Sequence, residues 1–376
     1  MSSKLSELAV LFLRLGFTAF GGPAAHVAIM ENEVVRRRRW ITPERFLDLL
    51  GASNLIPGPS STELAMFIGY EQAGWRGLLL GGGCFILPAA LLVGGIAWAY
   101  VRFGALPQVG GALYGIKPVV IAVVAQALWG LLPKAIKKSW WLALVAAGAA
   151  AASALGIDAV VVLLGAGLVT VVARRIAQDG KDGVHALLAG LAPGAVAVAA
   201  PAGGLPMLFL TFLKIGAVVF GSGYVLLAFL RADLVVGLHW LSEAQLLDAV
   251  AIGQVTPGPV FTTATFIGYL VGGGWGAVVA TVGIFLPGFL LVALVRPLIA
   301  RARQSPSLGA LLDGVNVAAL GLMAVVTAQL ARGALVDGPT VALAVAGAIL
   351  LIRFKLNATW IVAGAAVAGV LVKTLV

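Results

Sequence analysis

Two stretches of this chain carry residues suited to holding an anion. Asn54-Leu55-Ile56-Pro57-Gly58-Pro59-Ser60-Ser61-Thr62-Glu63 recurs 200 positions later as Gln254-Val255-Thr256-Pro257-Gly258-Pro259-Val260-Phe261-Thr262-Thr263. In each copy an apolar helix runs into Pro-Gly-Pro. Proline offers no amide donor and clashes with the preceding turn, so the helix must stop. Gly58 and Gly258 let the chain reverse, and the second proline suits the first position of a new helix. That helix opens with unsatisfied amides and the positive end of its dipole, which favour a negative guest. The hydroxyls of Ser60, Ser61, Thr62, Thr262 and Thr263 stand beside it. The amides of Asn54 and Gln254, just ahead of Pro57 and Pro257, can bond either a ligand or freed carbonyls. A second pair of breaks lies upstream, at Gly21-Gly22-Pro23 and at Gly221-Ser222-Gly223.

Cations and acids lie near these breaks. Arg14 and Lys214 hold matching places in apolar sequence. A cation there is costly in lipid, so it should face a cavity or the bundle interior, as a symmetric pair around an anion; snorkelling to an interface is the plainer reading. Lys117, which precedes the helix-breaking Pro118 in an apolar segment, is a further candidate for facing the anion; Asn316 stands at its equivalent. Glu63, Asp48 and Asp248 are candidates for carrying a coupled proton. For Asp48 and Asp248, pairing with a basic residue to fix a hairpin is an equal reading. Glu71 reads as an interfacial cap and His26 as a packed, hydrogen-bonding residue. No catalytic triad, metal-ligand cluster or His-Glu-x-x-His occurs, and the single cysteine, Cys84, sits in an apolar run. The expectation is therefore no enzyme, no metal and no cofactor.

The elements that must position these groups are membrane helices. Of 376 residues 61% are hydrophobic and 11% charged, and the mean hydropathy is +1.06. These values describe a polytopic membrane protein. The net charge of +10 lies at the ends of apolar segments, which fits positive-inside orientation and no nucleic-acid partner. The N-terminus shows no cleavable signal.

The chain is one unit written twice. Phe12-Leu13-Arg14-Leu15-Gly16 answers Phe212-Leu213-Lys214-Ile215-Gly216; Phe20-Gly21, Trp40 and Asp48 answer Phe220-Gly221, Trp240 and Asp248. The repeats are read as 1–183 and 204–376, joined by 184–203, which is expected to cross the membrane. In each, a broken first helix (residues 8–20 and 24–35 in the first half) gives pieces of roughly 20 Å, against the ~30 Å that hydrocarbon requires. These pieces predict a re-entrant helical hairpin, with a kinked spanning helix as the alternative. A second hairpin follows, capped by Thr42-Pro43 or by a Ser242 to Gln245 capping box, with Pro-Gly-Pro at its tip. Four spanning helices complete each half, near 76–101, 107–132, 140–156 and 158–173, then 276–298, 308–331, 339–352 and 358–372. The basic clusters at Arg36 to Arg39, Lys134 to Lys138, Arg174, Arg175, Arg296 to Arg303 and Arg353 to Lys355 share one side only if the halves are inverted. The fold expected is all-α and polytopic, with two inverted pseudo-symmetric repeats.

These residues resemble the chromate ion transporter family in its long, two-domain form. The likeness rests on Phe12-x-Arg14-x-Gly16-x-x-x-Phe20-Gly21-Gly22-Pro23, on Trp40-x-x-x-x-Arg45-Phe46, and on Pro57-Gly58-Pro59 with Phe67-Ile68-Gly69-Tyr70. The second copy departs with Gly223 where the first has Pro23. The resemblance implies export of chromate, a tetrahedral dianion, across the bacterial inner membrane, energised by the proton-motive force. Chromate or a related oxyanion, protons and the lipid bilayer are the partners expected, and two copies could associate as a homodimer. The residues alone also allow a passive oxyanion channel, a sulfate-type transporter or a lipid scramblase.

Overall fold

The computed structural model of this chain describes residues 2–20, 22–104, 106–136, 139–179, 204–220, 225–295 and 305–375. Among them all regular structure is helical. The first half comprises α1 (Ser2–Thr18), α2 (Gly22–Glu31), α3 (Pro43–Ser53), α4 (Ser60–Phe103), α5 (Pro107–Ile136), α6 (Trp141–Ala154) and α7 (Ala159–Asp179). The second repeats the order as α8 (Gly204–Val218), α9 (Leu226–Leu230), α10 (Glu243–Val255), α11 (Thr263–Val295), α12 (Pro306–Ala334), α13 (Gly338–Ile352) and α14 (Ala358–Leu375). Helices α2 and α9 run on into wide π turns at Asn32–Arg37 and Arg231–Gly237. The connecting stretch 184–203 lies outside the described residues.

Among the described residues, five helical stretches are long and apolar enough to cross a membrane: α4, Pro107–Pro133, Ala159–Ile176, Val260–Val295 and α12. Helices α6, α8, α13 and most of α14 are apolar and shorter. Trp75, Trp129, Trp140, Trp275 and Trp360 are exposed at helix ends, where indole rings favour the membrane–water boundary.

Helix α4 is two helices in one register. Residues 60–72 and 75–103 are separated by Ala73 and Gly74, whose φ of 60° turns the chain back. In α11 the same turn falls at Gly272 and Gly273. The two arms then lie backbone on backbone: Gly69 meets the Gly77 carbonyl, and Gly81 meets that of Ala65. Small residues permit this approach. Helix α3 runs antiparallel to 60–72, because Arg45 at its start pairs with Glu71 and Gln72 bonds the Trp40 carbonyl at 3.2 Å. Glu71 is thus an ion-pair partner across the hairpin base rather than a cap.

The first element is also a hairpin. Gly16 near the end of α1 lies against Phe85 and Pro88, and in the second half Gly216 lies against Ile284 while Gly272 lies against Leu205. The first helix of each half therefore runs parallel to the long arm that follows it. After the break, α2 and its π turn descend to Trp40, level with Gln72. The chain leaves on the side it entered, as a re-entrant hairpin and not a kinked span.

The halves interlock. Helices α4 and α11 cross in opposite directions, Gly82 against Phe289 and Gly94 near Thr265, which in turn bonds Thr281. Helix α5 packs against α13 and α14, and α12 against α6 and α7. Gly115 and Gly369 close the first seam; Gly314 and Gly321 close the second on Ala166 and Ala146.

Candidate functional site

The two Pro-Gly-Pro corners lie inside the bundle, each bonded to the upstream break of the other half. Thr42 caps α3, accepting from the Arg45 amide, and Pro43 opens it. Ser242 and Gln245 form the reciprocal capping box of α10. Each helix climbs to its proline corner and ends there. Gly258 comes up against Ala89, which stands 14 residues into the arm 75–103. At 1.5 Å per residue that is ~21 Å along an arm of ~43 Å, or mid-depth.

Each corner is tied to the other half. The Gly58 amide donates to the Val219 carbonyl at 2.8 Å, and the Gly258 amide to Ala19 at 3.0 Å. Val219 and Ala19 are the equivalent residues that end α8 and α1. The corner of one half is therefore bonded to the upstream break of the other, twice, as a two-fold requires. Gly21, Gly221 and Ser222 lie outside the described residues; Gly22 begins α2.

The polar groups at the two corners are not equivalent. In α4 the amides of Thr62 and Glu63 turn back to the Pro59 carbonyl, leaving those of Ser60 and Ser61 without an intrahelical acceptor. Ser61 lies 3.3 Å from His26, whose other ring nitrogen is 3.0 Å from the Ala19 carbonyl. Thr62 is buried with its hydroxyl unpartnered among the described residues. At the second corner Thr262 and Thr263 donate to the Pro259 and Val260 carbonyls, both at 2.8 Å. Those hydroxyls serve the backbone instead of a guest.

Glu63 is fully buried, and neither carboxyl oxygen has a hydrogen-bond partner among the described residues. Its Oε1 fills the place where a Cβ on Gly58 would stand. Asp248 lies differently: Lys117 of α5 is 3.0 Å away and the Tyr100 hydroxyl of α4 donates to it at 2.9 Å. Asp248 thus ties α10 to two helices of the other half. Asp48 is half-buried.

Other predicted residues lie further out. Lys214 pairs with Asp233 of the π turn at 2.6 Å, and Arg14 is exposed on α1. Asn54 is exposed and Pro57 half-buried, whereas Pro257 is buried. Gln254 and Thr263 border a void of about 10 Å³, the size of one water. A larger cavity, about 580 Å³, runs from Lys355 and Asn357 past Gln126 to Phe20 and Ala25 beside the first break.

The equivalent hairpins are seated unequally. Among the described residues, helix α10 packs on α5, α12 and α14, whereas α3 packs substantially only on α4. Leu247 is 1% exposed and its counterpart Leu47 is 61% exposed. Sequence reasoning missed Tyr100 as a partner of Asp248, since nothing local marks it. It also missed Gly288, beside Glu63; the repeat held the signal, because Ala89 stands at the equivalent place.

The sequence profile of the chromate transporter family matches residues 6–171 and 206–370. The chain is 36% identical to the chromate transport protein of Cupriavidus metallidurans, over 97% of this chain and 92% of that protein. It is 34% identical to the probable chromate transport protein of Synechococcus elongatus, over 98% and 95% of the two chains. Identity to the chromate transport protein of Pseudomonas aeruginosa is 32%, over 97% and 92%. No solved structure matches the chain.

Proposed function

The chain belongs to the chromate transporter family, and from that premise we propose that it exports chromate across a bacterial inner membrane by proton-coupled alternating access. It is a multi-pass membrane transporter and not an enzyme. The observation that carries the reading is the pair of proline corners inside the bundle, each tied to the other half's break and each followed by a helix start. Amides, dipole ends and the hydroxyls of Ser60, Ser61 and Thr62 suit a small oxyanion.

The direction of the alternation follows from the unequal seating. The hairpin of α10 is closed on the bundle through Lys117 and Asp248, and that of α3 is not. The antiparallel crossing of α4 and α11 supports halves inverted across the membrane, with 1–183 and 204–376 as the repeats and 184–203 as the connection. The basic residues then gather on the cytoplasmic side, which is the side the large cavity opens to through Lys355. This conformation faces inward. Seating α3 while releasing α10 would turn the site outward. Phe20, Ala25, Gln126 and Asn357 line the approach in this reading.

The test is chromate accumulation in everted vesicles, with and without an imposed proton gradient, and with sulfate as competitor. Saturable, gradient-sensitive accumulation is expected. Flux that rises without saturation and ignores the gradient would refute a coupled carrier.

A further inference from the structure

The corner of the first half holds a buried carboxyl that the second half lacks. Glu63 has Thr263 as its counterpart, and the room for its side chain is made by Gly58, with Gly288 of the other half alongside. Gly58, at a φ of +132°, leaves open the place its Oε1 occupies, and a Cβ built on Gly288 of the other half would stand 3.8 Å from the same atom. Across the two-fold the arrangement closes up: Gly258 meets the methyl of Ala89 instead. The pocket is thus built once per chain, where the two halves meet.

Among the described residues no charged group pairs with this carboxyl. Between 263 and 295, α11 has no charged side chain. On the other elements packed against α4, His26 of α2 is committed to Ser61 and Ala19, Arg14 of α1 is exposed, Arg45 of α3 is held by Glu71 at the hairpin base, and Asp248 of α10 is engaged by Lys117 and Tyr100. Asp48 of α3 is another acid. A carboxylate sealed among such neighbours is far costlier than the neutral acid.

We infer that Glu63 is the proton-binding site of this transporter, and that proton and anion are bound together. The inference rests on the oxyanion reading above. Glu63 stands in the first turn of α4, so its ionised form would claim the same amides and dipole end as the guest, and would repel it. Taking a proton from water removes both obstacles. A dianion and a proton then cross as one net negative charge. Outward passage is favoured by an inside-negative potential, while the proton gradient opposes it.

The experiment is equilibrium binding of radiolabelled chromate to the purified chain, wild type against Glu63→Gln, at matched pH values so that chromate speciation cancels. The wild type should weaken relative to the variant by up to about tenfold per pH unit once the carboxyl ionises, the limit for one linked proton. The variant, fixed in the neutral form, should keep its affinity. Parallel profiles for the two proteins would overturn the inference and leave the transport reading standing. Absence of chromate binding by the wild type at every pH would overturn the transport reading, and the inference with it. A measurement without any variant stands beside this: in weakly buffered solution at a pH on the falling limb of the wild-type binding profile, where the free carboxyl is ionised, addition of chromate dianion should raise the pH through proton uptake by the wild type. No uptake on saturation would refute co-binding.

Discussion

Replacing Asp248 by Asn should release the seated hairpin. Asp248 and Lys117 lie 3.0 Å apart, with side chains 4% and 20% exposed. Breaking a buried ion pair from one side costs about 3–5 kcal/mol, because the surviving charge is stranded. Lys117 keeps a fifth of its surface in contact with the exterior, and an Asn oxygen still accepts from Tyr100, so a cost of about 2–3 kcal/mol is the better value. The pair can exist only while α10 rests on α5. The whole cost therefore falls on the seated conformation, and the ratio of seated to released molecules drops about 30- to 150-fold. A cysteine at Leu247, in a Cys84→Ala background and in detergent solution, reports this directly. Leu247 is 1% exposed, so maleimide labelling should be slow in the parent and tens of times faster with Asp248→Asn. Adding Lys117→Met removes the stranded charge and should recover part of the protection. Equal labelling rates with and without Asp248→Asn would refute the reasoning.

Two other outcomes follow from the packing and the outer loops. A methyl on Gly69 would stand 2.7 Å from the Gly77 carbonyl carbon, so Gly69→Ala should cost about 1–3 kcal/mol through overpacking and lower the melting temperature. Gly83→Ala, which meets nothing, should leave it unchanged, and equal melting of the two would count against the hairpin geometry. At the start of α13, Tyr114 donates to both oxygens of Asp337 at 2.7 and 2.6 Å and the Thr340 amide donates at 2.9 Å, holding that carboxyl below its usual range. Its folded value lies under the unfolded one, so the stabilisation is complete at neutral pH and is lost as pH falls through the acidic range. Melting curves from about pH 7 to about pH 3 should therefore drop further for the wild type than for Tyr114→Phe, and parallel curves would refute the contact.

Much of this arrangement is legible in the residues. Pro57-Gly58-Pro59 and its copy end helices by covalent geometry, which holds in any surroundings, and a repeat offset of 200 positions pairs the two. The capping pattern at Thr42-Pro43 and Ser242 fixes where the hairpins begin for the same local reason. What depends on distant partners was not legible. Tyr100 and Asp248 are 148 positions apart, and the acid alone could not reveal that it is satisfied while Glu63 is not. The hydroxyls of Thr262 and Thr263 look as available as those of Ser61 and Thr62 until the backbone claims them. Both hairpins carry good start signals, so their unequal seating had no local mark. It becomes readable only afterwards, in the contrast of Lys117 with Asn316.

The exchange of partners between α5 and α12 has a consequence for how such a protein can be altered. Each repeat builds the wall on which the other repeat's last helices rest, so neither is a self-sufficient folding unit despite its complete set of elements. A lesion in one wall disturbs helices encoded some 200 positions away, and sequence drift in the two copies is bound together by shape complementarity. Around the shared Pro-Gly-Pro corners the copies differ in a few side chains, such as Glu63 and Lys117, and these give one doubled scaffold a front and a back.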